Sequence, residues 1–167
     1  MGLAGIEKDA WRHAMSHESK YVRMGALLAL RKLSDPEIAR FLRDEETALS
    51  YEAIRAINDL PLLSVQSELA ELIEDYLPGR TGEMPDSEIG AFMHHRIINA
   101  NYYGAKAGNA RSLLRYASNP DLPARLRQEA LAAIEGWNDQ NPIDTTTGLS
   151  RENPAVREPI DAVVRSE

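Results

Sequence analysis

The sequence predicts an all-α chain organised as a right-handed α-solenoid of about four helix pairs. Four stretches, Val22–Leu30, Leu49–Ile57, Met93–Asn101 and Leu126–Ile134, align so that Ala29, Ala56, Ala100 and Ala133 share one column. Ala26, Ala53 and Ala130 share a second column, in which Ile97 is the exception. Equivalent alanines lie 27, 44 and 33 residues apart, the span of a helix-pair repeat. Small residues in register let neighbouring helices approach to about 8–10 Å, which is what stacking the second (B) helix of each pair requires.

The elements follow in order. Ile6, Ala10, Trp11 and Ala14 keep helical spacing, giving a first A helix to Met15, and Ser16-His17-Glu18-Ser19 supplies caps on both sides. Lys20 to Leu33 is its B helix, with Val22, Ala26, Leu27, Leu30 and Leu33 on one face and Arg23, Arg31 and Lys32 on the other. Ser34-Asp35-Pro36-Glu37 is a helix start, so the second A helix runs from about Pro36 to Arg43. After the acidic turn Asp44-Glu45-Glu46-Thr47, which reads as solvated, the second B helix spans roughly Ala48 to Asp59 and stops at Leu60-Pro61.

A third A helix opens at Ser64 or Val65 and ends near Tyr76, and a Gly/Pro-rich loop, Leu77 to Ser87, accounts for the 44-residue step. Its B helix runs from Glu88 to about Tyr103, with Ile89, Phe92, Met93, Ile97, Ala100 and Asn101 on one side and Gly104 as C-cap. Ala107 to Ser118 and Pro123 to Trp137 form the fourth pair. Residues 1–137 thus make one helical-repeat domain. Residues 138–154 read as an irregular loop that wraps the surface or is mobile, and 155–167 as the start of a further helix, a repeat cut before its partner. An unpaired apolar helix there is expected of a fragment.

Composition narrows the function classes. At 43% hydrophobic and 27% charged, the chain is globular rather than disordered. A net charge of −7 repels phosphate backbones, so no nucleic-acid partner is expected. The absence of cysteine removes disulfides, iron–sulfur clusters, haem attachment and thiol nucleophiles. No apolar run approaches the ~18 residues of a membrane span.

The A helix, the turn Ser19-Lys-Tyr-Val-Arg23 and the Ala-rich B helix together resemble HEAT repeats over Ile6 to Trp137. In the second half, Arg96-Ile-Ile-Asn-Ala-Asn-Tyr-Tyr-Gly104, Ala110-Arg-Ser-Leu-Leu-Arg-Tyr-Ala117 and Pro123 to Ile134 with Gly136-Trp137 resemble the HEAT-repeat region of large secreted bacterial dehydrogenase-type proteins. That resemblance implies a periplasmic or secreted parent. There the HEAT region lies between a sugar-dehydrogenase-like β-propeller dependent on pyrroloquinoline quinone and a c-type haem domain. It also implies a segment that is a scaffold with no cofactor and no catalytic residue of its own, whose partners are proteins or the flanking domains.

Candidate chemistry is sparse. The adjacent imidazoles of His94 and His95 point about 100° apart on a helix and cannot readily share an ion, so they read as structural or surface groups. His13 and His17 have i, i+4 spacing but no third ligand nearby, and Asp44-Glu45-Glu46 lacks the alternation and glycine of a calcium loop. No metal site is expected. Asn99 and Asn101 read as buried groups bonding backbone across the inter-repeat ridge, and Arg12, Arg23, Arg31, Arg55, Arg96, Arg111 and Arg115 as donors of inter-repeat ion pairs. Tyr102, Tyr103 and Trp137 end B helices and read either as aromatic anchors of an interface or as rings packed under the following loop. His94, His95, Asn99, Asn101, Tyr102, Tyr103 and Trp137 are therefore the expected interaction face, in the irregular third repeat and at the end of the fourth. The expected function is a non-catalytic scaffold or protein-interaction module. The alternative is a small helical-repeat enzyme of the DNA-glycosylase or phycobilin-lyase kind, the first needing a basic concave face and the second a deep apolar pocket between B helices.

Overall fold

The computed structural model describes residues 13–77, 88–139, 143–152 and 156–166. Among these every regular element is a helix, and β structure is confined to an isolated bridge between Ile143 and Ser150. The chain divides into two compact units, Met1–Leu62 and Leu63–Glu167. Most of the first A helix lies outside the described residues, as does the loop from Pro78 to Ser87.

In the first unit, α1 (Lys20–Leu33) buries Ala26, Leu27 and Leu30. It ends at Ser34, whose left-handed backbone (φ 52°) turns its own N–H onto Arg31 O and the Asp35 N–H onto Leu30 O. Arg31 and Lys32 in the last turn suit the helix dipole. The Asp35 carboxylate then accepts the Glu37 N–H at 2.9 Å beside Pro36. The expected A helix from Pro36 to Arg43 is instead a 3₁₀ helix, Pro36–Phe41, which drives Ile38 and Phe41 fully into the core. α2 (Thr47–Asp59) adds Leu49, Ala53, Ile54 and Ile57, each large aliphatic contributing roughly 1.5–3 kcal/mol by its burial.

α1 and α2 run parallel. Arg23 at the start of α1 pairs with Asp44 just before α2, and Arg31 near the end of α1 pairs with Glu52 within α2. Arg23 is thereby buried on the core side, while Val22 and Leu33, expected inside, are exposed. The reason is the bidentate Asp44 carboxylate, at 2.9 Å from both Nε and Nη2 of Arg23, with His17 O and Glu18 O accepting from Nη1. The turn at 44–47 is therefore only partly solvated: Asp44 is enclosed and Glu45 lies in water.

The second unit opens with a 3₁₀ turn (Leu63–Val65), α3 (Gln66–Glu71) and a further 3₁₀ segment (Leu72–Tyr76), where one A helix was expected. This last segment buries Leu72 and Ile73, and Glu74 accepts from Ser112 Oγ–H at 2.7 Å. α4 (Glu88–Gly104), α5 (Ala107–Ser118), α6 (Ala124–Glu135) and α7 (Asp161–Ser166) follow.

Side-chain bonds fix their directions. Asn101 Nδ2 donates to Ala70 O at 2.9 Å and His94 packs edge-on against Tyr76 with ring centroids 4.2 Å apart, so α4 runs antiparallel to the 66–76 segment. His94 meets Tyr116 and Asn101 meets Asn109, so α4 and α5 are also antiparallel. His95 meets Glu129 and Tyr102 meets Gly136 O, each pair 34 residues apart, so α4 and α6 are parallel. The column containing Ile97 is buried throughout, at Ala26, Ala53, Ile97 and Ala130. In the other column Ala56 and Ala100 are buried, and Ala29 and Ala133 are half-buried at the edge of each parallel pair.

Gly104 does not cap α4 in a left-handed turn. It remains helical, and the positive φ, 57°, belongs to Ala105. What needs glycine at 104 is proximity: a Cβ there would stand 2.5 Å from Asn109 Oδ1. Ile89 and Phe92, expected inside with Met93 and Ile97, are half exposed.

The C-terminal segment packs within this unit. Glu158 N–H donates to Ala105 O, Trp137 Nε1–H donates to Glu158 O at 3.0 Å, and Ile160 and Val163 are buried. No helix among the described residues is long and apolar enough to cross a membrane.

Candidate functional site: the cleft between α4 and α6

The parallel pair α4 and α6 leaves a cleft of about 560 Å³. α4 contributes Phe92, His95, Arg96, Ile98, Asn99, Tyr102 and Tyr103, and α6 contributes Arg125, Glu129, Ala132 and Ala133. Gly136, Asp139, Ile143, Thr145 and Thr146 complete the wall. The alternating small residues of α6 create this space, because Ala132 and Ala133 stand where larger side chains would fill it.

His95 and Glu129 bridge the two helices through Nδ1 and Oε2, with both side chains partly buried. A carboxylate can only accept, so Nδ1–H is the donor and Nε2 remains the open nitrogen. Arg96 donates to Phe92 O at 3.2 Å and holds its guanidinium 6.0 Å from the Phe92 ring centroid. Tyr102 Oη–H is shared between Asp139 O at 2.9 Å and Gly136 O at 3.2 Å, tying the end of α4 to the end of α6.

One wall is held by a buried polar node. Asp144 is almost fully enclosed, and accepts from Asn99 Nδ2 (2.9 Å), Arg151 Nη1 (2.8 Å), Thr146 N (2.8 Å) and Thr146 Oγ1 (2.5 Å). Burial alone raises the Asp144 carboxyl; the bonds from Thr146, Arg151 and Asn99 outweigh it and hold the group down at about 2. Arg151 lies over the Tyr103 ring, 4.1 Å from its centroid. Within 138–154, residues 143–152 are thus built into the unit through Asp144 and Arg151, which their polar composition did not reveal.

The expected interaction face separates into two sets. His95, Asn99, Tyr102 and Tyr103 line the cleft. His94, Asn101 and Trp137 are buried behind it. His94 Nδ1 lies 2.7 Å from Tyr116 Oη, and burial, then the neighbouring His95, push its imidazole down to about 4. Asn101 bonds Ala70 O and Ile97 O and accepts from Asn109, the backbone-bridging role expected of it. Trp137 sits under Arg157, which also covers Tyr102 at 3.9 Å from the ring centroid. Phe92, Arg96, Arg125 and Glu129 were not anticipated as site residues; their signal was the constant step between α4 and α6, which brings 92–96 beside 125–129.

Elsewhere, His17 Nδ1 accepts the Ser19 N–H at 3.0 Å and its ring packs edge-on against His13, so the i, i+4 pair serves the turn before α1. No group of three or more His, Asp or Glu gathers as a metal site among the described residues. No protein family, curated protein or solved structure matches the chain.

Proposed function

We propose that the chain is a non-catalytic helical-repeat binding module, built of HEAT-like helix pairs in a right-handed α-solenoid, that takes a protein partner or flanking domain on the face between α4 and α6. The observation that carries this reading is the α4/α6 relationship. Two B-type helices run parallel at a fixed step of 34 residues with an antiparallel helix between them in sequence, and they leave a concave wall where Phe92 and Ile143 are half exposed. The parallel α1 and α2 repeat the motif in the other unit. Apolar groups exposed inside a concavity with a polar rim are typical of interaction surfaces. The net charge of −7 weighs against nucleic acid as the partner. A dehydrogenase-type parent with the chain as its spacer is the context we favour.

Photo-crosslinking in the native host tests this function. A photoreactive residue at Phe92 or Ile143 should capture the same identified partner segment, and one at exposed Leu63 should not; identical products at all three positions would remove the cleft from the interface. A second reading, a small helical-repeat enzyme, rests on His95 and Glu129, where a carboxylate orients an imidazole whose Nε2 is open, as for a general base. It requires turnover that vanishes in His95→Gln while crosslinking at Phe92 persists.

A further inference from the structure

Resting on the reading of the α4/α6 cleft as a binding face, we infer that it is a site for a small aromatic carboxylate. The cleft is polarised along its two parallel helices. At the N-terminal end the step of 34 residues sets Arg125 level with Ala91, beside Phe92. Arg125 is exposed and has no ion-pair partner among the described residues. Arg96 at the same end is buried, with its guanidinium held on Phe92 O and against the Phe92 ring. Glu129, one turn on from Arg125, is bonded to His95, and Asp139 lies at the opposite end, beyond α6. Between these ends the wall mixes apolar and aromatic groups, Ile98, Ala132, Ala133 and Tyr103, with the polar Asn99, Thr145 and Thr146.

A ligand that fits this arrangement carries an anionic group for guanidinium at one end and a flat apolar body for the rings and the alanine floor. About 560 Å³ falls within the range of small-ligand sites. The Asn99–Asp144 bond pins the wall of 143–146 against α4, narrowing the C-terminal half.

Amide NMR titrations of the whole chain with naphthoate, naphthamide and acetyl-Asp-Phe-amide test the inference. Naphthoate should shift amides of 91–99 and 125–133 and bind up to about fivefold more tightly than naphthamide, the range of an exposed charge pair. Arg125→Glu should erase that preference. The new carboxylate stands in the first turn of α6, where the dipole favours it, so the variant keeps its fold; Arg165→Glu, on α7, should leave the preference intact. Equal affinity for acid and amide, a preference surviving Arg125→Glu, or shifts confined to other helices would overturn the inference. Tighter binding of the peptide than of naphthoate would overturn the free acid as the ligand. Loss of naphthoate binding with crosslinking at Phe92 retained would sink this inference alone and leave the binding-module reading standing.

Discussion

Tyr102 on α4 donates to the carbonyl of Gly136, 34 residues later, and His95 reaches Glu129 across the same separation. Two side chains seven positions apart on one helix thus meet two positions seven apart on its neighbour. Only parallel helices in register satisfy both contacts, and the open wall between these ties is the cleft.

The His95–Glu129 tie should contribute modestly to stability. Its groups are partly solvated, so a double-mutant cycle with His95→Ala and Glu129→Ala should give a coupling of about 1 kcal/mol. Denaturant melts of the four proteins check it.

Removing Asp144 should cost far more. Asp144→Ala takes one acceptor from the enclosed Arg151 and Asn99, and breaking a buried ion pair in this way costs about 3–5 kcal/mol. Thermal unfolding should show the loss. Exchange of the 143–152 amides should quicken in the same variant, because Thr146 N and Thr147 N also rest on this carboxylate.

His94 makes the fold acid-sensitive in a defined window. Its folded value is depressed to about 4 from an ordinary 6.5, so as pH falls the unfolded chain takes up the proton first. Its stabilisation is complete above pH 6.5 and is lost as pH falls toward 4, amounting to about 3 kcal/mol. Urea melts from pH 7 to pH 4 should show that decline, and His94→Gln should flatten it while lowering stability at pH 7. Asp144, also depressed, adds its own loss only below 3.8.

Backbone chemistry at the α4–α5 corner gives opposite signs at adjacent positions. Gly104→Ala drives a Cβ into Asn109, whose side chain is committed to Lys106 N and Asn101 Oδ1, and should destabilise by about 1–3 kcal/mol. Ala105→Gly relieves a left-handed alanine and should stabilise by up to about 1 kcal/mol. Paired thermal melts of the two variants separate these effects.

The sequence revealed those parts of the molecule that follow from periodicity. Lys20–Leu33, Ala107–Ser118 and the span of α4 are recovered to within a residue or two, because apolar spacing and caps are local. The A-helix segments 36–43 and 64–76 contain 3₁₀ turns, and their short lengths bury Phe41, Leu72 and Ile73. At the site, Tyr102, Tyr103, His95 and Asn99 were legible as polar or aromatic groups on an Ala-rich helix. Arg125 and Glu129 were not, because only the α4–α6 step places them opposite. The Asp144–Arg151 node was hidden for a different reason: a polar segment becomes ordered here through charge-assisted hydrogen bonds rather than apolar burial.

A crystal structure of the chain tests the repeat reading most directly. The expected result is one continuous right-handed array of helix pairs, with α4 and α6 parallel and His95 in contact with Glu129 across the cleft. A closed up-and-down bundle, with α4 and α6 antiparallel and Phe92 and Tyr103 in its interior, would contradict it.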